Sequence, residues 1–470
     1  MRRPSISNAR DEPQALWQTD AVPRSLQWLS PPRVLAASIL GLICAGTLVL
    51  ALPVSWAPGF RVLPLDAFFT ATSAVCVTGL IVVDTPRALS EMGHVVLLVL
   101  IQAGGLGYMV ITTLVAAALG KRLTLQESLT LQEALNIESR EGLVRFTLLV
   151  FKTTLGFELV GAFLLMMRWW PEFGAGRAAW YGVFHSVSAF NNAGFSLFSD
   201  NLVSYAGDVV VNVVIAALII CGGLGFVVIH EVVTLRRGAR LSLHSRFVLA
   251  MSATLIVVGT AAIYALEYRN PATLGPMSPG RAIMASYFQS VSARTAGFNT
   301  INLGAAYQPT LFLLMALMFI GASPGGTGGG VKTTTFGITV AALWATVRGG
   351  EEPSIFRRRL APAVVARAFF ISLIAFLALN MVAGLVLVLE SHGLLAVLFE
   401  TTSAFGTVGL STGVPGSVVS LSGHFGPGGK LLLIAMMFMG RVGPLTLAVA
   451  LARGRPRPRL RYPEGKVLIG

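Results

Sequence analysis

Long apolar runs separated by short polar patches organise the chain, and one order of segments recurs four times. Each recurrence opens with a long apolar stretch, near 34–56, 146–167, 246–266 and 365–389, and closes with another near 92–119, 209–234, 309–347 and 430–451. A bilayer core about 30 Å thick needs about 20 apolar residues in a helix, so each stretch is expected to cross a membrane. Between the two lies a shorter segment, near 63–75, 179–190, 281–293 and 393–404. At about 1.5 Å per residue it reaches roughly half a membrane thickness. The pattern predicts an all-α polytopic membrane protein with eight transmembrane helices and four short re-entrant helices. These form four tandem helix–pore-loop–helix units around a central pore. The expected divisions are a cytosolic arm over 1–33, units over 34–120, 121–235, 236–348 and 349–452, and a basic cytosolic tail over 453–470.

Each short segment runs into a polar, glycine-bearing patch: TSAVCVTGL, SVSAFNNAGF, SVSARTAGF and TSAFGTVGL. Their glycines, Gly79, Gly194, Gly297 and Gly409, follow one another at intervals of 115, 103 and 112 residues. Non-helical backbone at membrane depth is tolerated only where protein buries it or it lines a wet cavity. Carbonyls of Val77-Thr78-Gly79, Asn192-Ala193-Gly194, Thr295-Ala296-Gly297 and Thr407-Val408-Gly409 are therefore expected to face a shared axis and replace a cation's hydration shell. Glycine suits a backbone with no room, or no allowed dihedral, for a Cβ. Four unrelated turns are the plain alternative, but the alanine four or five residues before each glycine argues for equivalence. The third patch is one residue shorter between that alanine and its glycine.

The return stretches carry a second signal. Gly104-Gly105-Leu106-Gly107 and Gly222-Gly223-Leu224-Gly225 occupy matching places and read as notches for close helix packing. The third return stretch instead contains GASPGGTGGGVKTTT over 321–335. Interior glycine costs about 1 kcal/mol in a helix and proline about 3, so a break is expected beneath the patches. Gly325, Gly326, Gly328, Gly329, Gly330 and Lys332 read as an intramembrane gating loop, against the alternative of a kinked helix with a structural lysine. Arg441, another intramembrane cation, needs acceptors. The free carbonyls of 325–330 are its expected partners, in a gating or an architectural role. The loop lacks the GxxxxGK[ST] order and a preceding strand, so no nucleotide is expected on this chain.

Composition agrees with the solvent inferred from the pattern: 54% hydrophobic and 12% charged residues, with mean hydropathy +0.73. Net charge is +14, but the basic residues gather in the N-terminal arm, 121–145, 236–246, 348–359 and 453–466. That is a positive-inside distribution with both termini cytoplasmic, rather than a nucleic-acid surface. The tail is also suited to anionic membrane lipids. Asp66, Asp84, Asp200, Asp208, Glu267, Glu390 and Glu400 fall in or near the opposite, outward half, where carboxylates can concentrate cations; a solvated surface group is the plain alternative for each. Residues 1–33 are polar and proline-rich, unlike a signal peptide. The three cysteines have no metal-ligand spacing. With no nucleophile elbow, paired-carboxylate helix or HExxH, an enzyme is not expected.

The four patches, the glycine-rich break and Gly440-Arg441 together resemble the Trk/Ktr/HKT superfamily of potassium and sodium translocation proteins, in particular the membrane subunits of bacterial Ktr potassium uptake systems. The resemblance covers roughly 34–452. It implies the fold above as a homodimer in a bacterial inner membrane. Gly79, Gly194, Gly297 and Gly409 would then be potassium-filter glycines, since serine in the first patch favours sodium. The 321–335 loop and Arg441 would form a gate, with a cytosolic KtrA-like RCK-domain ring binding ATP or ADP as regulator. Sodium often stimulates uptake in such systems. A sodium-permeable protein or an ion-coupled secondary transporter of the same superfamily is the alternative. Inverted repeats, which many such carriers show, are opposed by the basic segments, which orient every unit alike.

Overall fold

The computed structural model describes residues 31–60, 63–107, 140–235, 240–350 and 352–451. The expected arm up to residue 30, the first return helix beyond 107, the basic stretch through 139 and the tail 453–470 lie outside the described residues. Among the described residues the regular elements are helices apart from one hairpin of two-residue strands, Ser354–Ile355 against Arg358–Arg359.

The outward helices are the longest apolar ones. Pro32–Leu50, Thr147–Phe190, Leu243–Glu267 and Pro362–Leu389 each contain a span-length apolar window, and a third or less of each window is buried. Such helices turn most of their side chains to an apolar solvent, as Leu48, Val257, Phe370 and Val388 do here. Their starts are built locally: Ser242 caps the third by accepting from Ser245 N at 3.2 Å, and Pro362 stands in the first turn of the fourth.

The short helices are Pro64–Val75, Pro279–Ser292, Leu394–Gly406 and the last part of Arg140–Phe190. In the second unit the outward and short helices are joined directly at a kink. Pro171 and then Gly174, at φ 75° and ψ 164°, turn the run from outward to short helix without a loop. The C-terminal halves of the short helices are buried; Phe69, Phe190, Phe288 and Phe405 are wholly inaccessible.

The return helices depart from the expectation of continuous spans in units two and four. Val209–Leu224 and Phe226–Leu235 meet at 106°, and Pro427–Val442 and Pro444–Ala450 at 98°. The bends fall on Gly225 (φ 93°) and Gly443 (φ 91°), and Gly107 (φ 77°) follows the first return helix, Glu91–Leu106. Left-handed backbone at these positions ends an α-helix, and glycine adopts it without a Cβ penalty. The third return helix is divided into Gln308–Phe319 and Thr333–Val347 by the glycine-rich loop. Notch packing holds as well, three residues before Gly107, Gly225 and Gly443. A Cβ on Gly104, Gly222 or Gly440 would strike the carbonyl of Val75, Phe190 or Phe405, each near the end of the same unit's short helix.

Contacts between units close a circle. The first return helix packs on Arg140–Phe190, the second on Pro279–Ser292, the third on Leu394–Gly406, and the fourth on Pro64–Val75. Asp66 and Lys430 form an ion pair of 2.8 Å across the junction of units four and one.

Candidate functional site

The site is assembled where the four short helices end. After each helix the backbone turns back on a serine carbonyl: Thr78 N to Ser73 O (2.7 Å), Ala193 N to Ser188 O (2.8 Å), Ala296 N to Ser292 O (2.9 Å) and Val408 N to Ser403 O (2.9 Å). This turn places the residue two before each glycine in the left-handed region: Val77 (φ 51°), Asn192 (φ 58°), Thr295 (φ 75°) and Thr407 (φ 50°). Three of these are β-branched, for which positive φ is a genuine outlier. The glycines follow at φ 88°, 70°, 79° and 93°. Positive φ at alternate residues aims successive carbonyls to one side.

The four strands meet as a closed ring. A Cβ on Gly79 would strike the carbonyl of Ala193, one on Gly194 that of Ala296, one on Gly297 that of Val408, and one on Gly409 that of Thr78. Each glycine thus faces the carbonyl preceding the next unit's glycine, in the order one, two, three, four and back to one. All twelve expected residues lie in these strands. The shorter third strand still reaches the ring, with Ser292 O also approached by Gly297 N at 3.4 Å.

The same serines hold the strands through their side chains, a role that the sequence reading missed. Ser73 Oγ accepts from Gly79 N (3.1 Å) and donates to Leu80 O (2.8 Å); Ser188 Oγ donates to Phe195 O (2.8 Å). Gly409 N donates to Ser403 Oγ (3.0 Å), and Ser292 Oγ donates to Phe298 O. Recurrence of Ser five or six residues before each glycine was the available signal. Arg294, three residues before Gly297, was also passed over; it donates to the Ser252 hydroxyl at 3.3 Å.

Outside the ring lies a polar cavity of about 310 Å³, lined by Gly79, Gly194, Gly409, Asn201, Asn299, Ser411 and the carboxylates Asp84 and Asp200, among others. The other five carboxylates of that set do not line this cavity. Asp66 pairs with Lys430, Asp208 with Arg168, and Glu390 accepts from Gly426 N at 2.9 Å. Glu267 and Glu400 are wholly buried: Glu267 accepts from Tyr307 N (2.8 Å) and Glu400 from Ser411 Oγ (2.6 Å) and Ser422 N (2.9 Å). A buried carboxylate needs such donors, and helix ends and loops supply them.

On the other side of the ring the 321–335 loop is seated on its neighbours. Ser323 N and Thr327 N donate to the Gly223 and Gly222 carbonyls (3.0 and 3.1 Å), while Phe226 N donates to Gly325 O (3.1 Å). The bend at Gly225 exposes these carbonyls. Arg441 donates to Thr327 O and to the carbonyls of Gly104 and Gly105, so one guanidinium bridges the loop to the first and fourth units. Lys332 turns back onto its own loop, donating to Gly328 O at 2.7 Å.

A ring of oxygen donors fed from a polar mouth suits a hard cation stripped of water, and similarity to known proteins places the chain in that class. Residues 34–461 match the family model TrkH, cation transport protein, and the chain belongs to that family. It is 40% identical to the Ktr system potassium uptake protein B of Vibrio alginolyticus, across 93% of this chain and 95% of the relative. The protein of the same name from Bacillus subtilis is 38% identical across 95% and 98%. The potassium/sodium uptake protein NtpJ of Enterococcus hirae is 35% identical across 94% and 98%. The crystal structure of the potassium transporter TrkH from Vibrio parahaemolyticus shares the fold, with a TM-score of 0.71 at 19% identity over 90% of this chain and 85% of that one.

Proposed function

We propose that the chain takes up potassium across a bacterial inner membrane, through the ring of Val77-Thr78-Gly79, Asn192-Ala193-Gly194, Thr295-Ala296-Gly297 and Thr407-Val408-Gly409. The observation that carries this reading is the closed ring, in which every glycine faces a carbonyl of the next unit. Transport of a dehydrated cation needs replacement oxygens on all sides, and four sequence-distant strands supply them. Potassium as cargo is supported by the relatives named for its uptake. The chain is a transport protein rather than an enzyme and binds no nucleotide itself.

The gate in this reading is the 321–335 loop, including Gly325, Gly326, Gly328, Gly329, Gly330 and Lys332, held by Arg441. Both termini are cytoplasmic, the working form is a homodimer, and a KtrA-like RCK-domain ring binding ATP or ADP controls the loop. Sodium permeability is the second reading, favoured by the potassium/sodium name of one relative.

Flux in proteoliposomes tests the proposal. Potassium influx well above that of sodium is expected for the wild type. In Gly79→Ser the new Cβ meets the Ala193 carbonyl at a left-handed position, and discrimination should fall about fivefold or more as about 1–3 kcal/mol of strain distorts the ring. Absence of any cation flux, with or without partner and nucleotide, would sink the pathway; equal permeability of the wild type to both ions would select the second reading.

A further inference from the structure

The residue two before each glycine shapes the ring by its left-handed backbone, and in three of the four strands its side chain is also polar. We propose that Asn192, Thr295 and Thr407 use those side chains to latch the 321–335 loop against the inner side of the ring. The proposal rests on the loop being the gate.

Thr407 makes the direct bond: Gly329 N donates to its Oγ1 at 2.9 Å. Thr295 gives the loop a close seat, since a Cβ on Gly328 would collide with the Thr295 hydroxyl. Asn192 hydrogen-bonds the Thr295 hydroxyl at 3.0 Å and lies 3.4 Å from Thr327 Oγ1, which donates to Phe190 O at 3.2 Å. Asn192, Thr295, Thr327 and Thr407 are all wholly buried, so no bulk water competes for these groups. The remaining strand carries Val77, which has no hydroxyl to offer. On that side Arg441 bridges from the Gly104 and Gly105 carbonyls to Thr327 O. Thr407 and Arg441 therefore bond the loop directly, while Thr295, fixed by its hydrogen bond with Asn192, packs against Gly328. Releasing it removes a bond from Thr407, a residue whose strained backbone persists only while its surroundings over-determine it. Loop release and the inner geometry of the ring become one coupled event.

The fold contains its own control. Val77 occupies the position equivalent to Thr407 at nearly the same φ, 51° against 50°, so valine is compatible with that backbone. Thr407→Val removes the hydroxyl and little else. In proteoliposomes without any partner it is expected to raise basal potassium flux about two- to tenfold, the equivalent of one lost hydrogen bond. Hydrogen exchange of the loop segment containing Gly329 should quicken, and Thr407→Ser should return flux and exchange toward wild type. Unchanged or reduced flux in folded Thr407→Val overturns the latch, as does unchanged exchange. Arg441→Ala measured alongside separates the two readings. If it raises flux and Thr407→Val does not, the latch fails and the gate stands. If neither raises flux, the gate reading fails and takes the latch with it.

Discussion

Ser73, Ser188, Ser292 and Ser403 each serve two or three strand groups at once, by backbone carbonyl and by hydroxyl. Left-handed φ at Val77, Thr295 and Thr407 costs about 1–3 kcal/mol each, and such strain persists only in a fully bonded setting. Removing a hydroxyl leaves buried backbone groups unpaired at about 1–3 kcal/mol apiece. Ser73→Ala orphans both Gly79 N and Leu80 O, whereas Ser403→Ala orphans Gly409 N. The expected outcome is a larger fall in thermal midpoint for Ser73→Ala than for Ser403→Ala, measured by size-exclusion after heating in detergent. The glycines of this site were legible in sequence because their spacing and flanking residues repeat. The serine clamps were visible as letters but not as bonds, since nothing in one dimension says which turn a hydroxyl reaches.

At the scale of elements, the bends of the return helices decide what the loop can sit on. The matching Gly104–Gly107 and Gly222–Gly225 motifs were readable as packing notches, and the notch contacts are there. Their last glycine acts differently, as a left-handed stop, a distinction that dihedral angles reveal and letters do not. Gly443 performs the same act in unit four without a preceding GGL motif, which is why it escaped notice. The two bends should respond differently to alanine. A Cβ on Gly443 meets nothing closer than Thr446 Oγ1 at 3.7 Å, so Gly443→Ala carries backbone strain alone, about 1–3 kcal/mol. A Cβ on Gly225 also strikes the Pro324 carbonyl within the loop. Gly225→Ala is therefore expected to lower stability and raise basal flux through folded protein, with Gly443→Ala lowering stability only. Flux normalised to monodisperse protein distinguishes them.

In the whole molecule, the ring closes because the fourth unit returns to the first. That junction contains the Asp66–Lys430 pair, whose side chains are only 14% and 11% exposed. Removing one partner of a buried pair strands the other charge, typically at about 3–5 kcal/mol, while replacing both by apolar groups is far milder. Asp66→Asn is expected to cost a large part of that range, and the Asp66→Leu/Lys430→Met double variant should recover more than half of it. Thermal unfolding of the single and double variants closes the cycle. The outward helices have the opposite character: their exposed leucines, valines and phenylalanines face a solvent that does not penalise them, so the structural demand falls on the centre.

Hydrophobic periodicity and length alone determined the number of units, the alternation of long and short helices and the place of the glycine-rich break. Each is a local consequence of apolar run length and of glycine and proline in a helix. Tertiary structure decided which outward carboxylates remain at the mouth, because pairing of Asp66 with Lys430 or burial of Glu400 depends on residues hundreds of positions away or on a fold-back. It also decided that Thr407, strained two residues before Gly409, meets the loop beneath through its hydroxyl, while the neighbouring Val408 carbonyl belongs to the ring. The repeat was written along the chain; the circle, in which unit four meets unit one, exists only where backbone from all four comes within van der Waals reach.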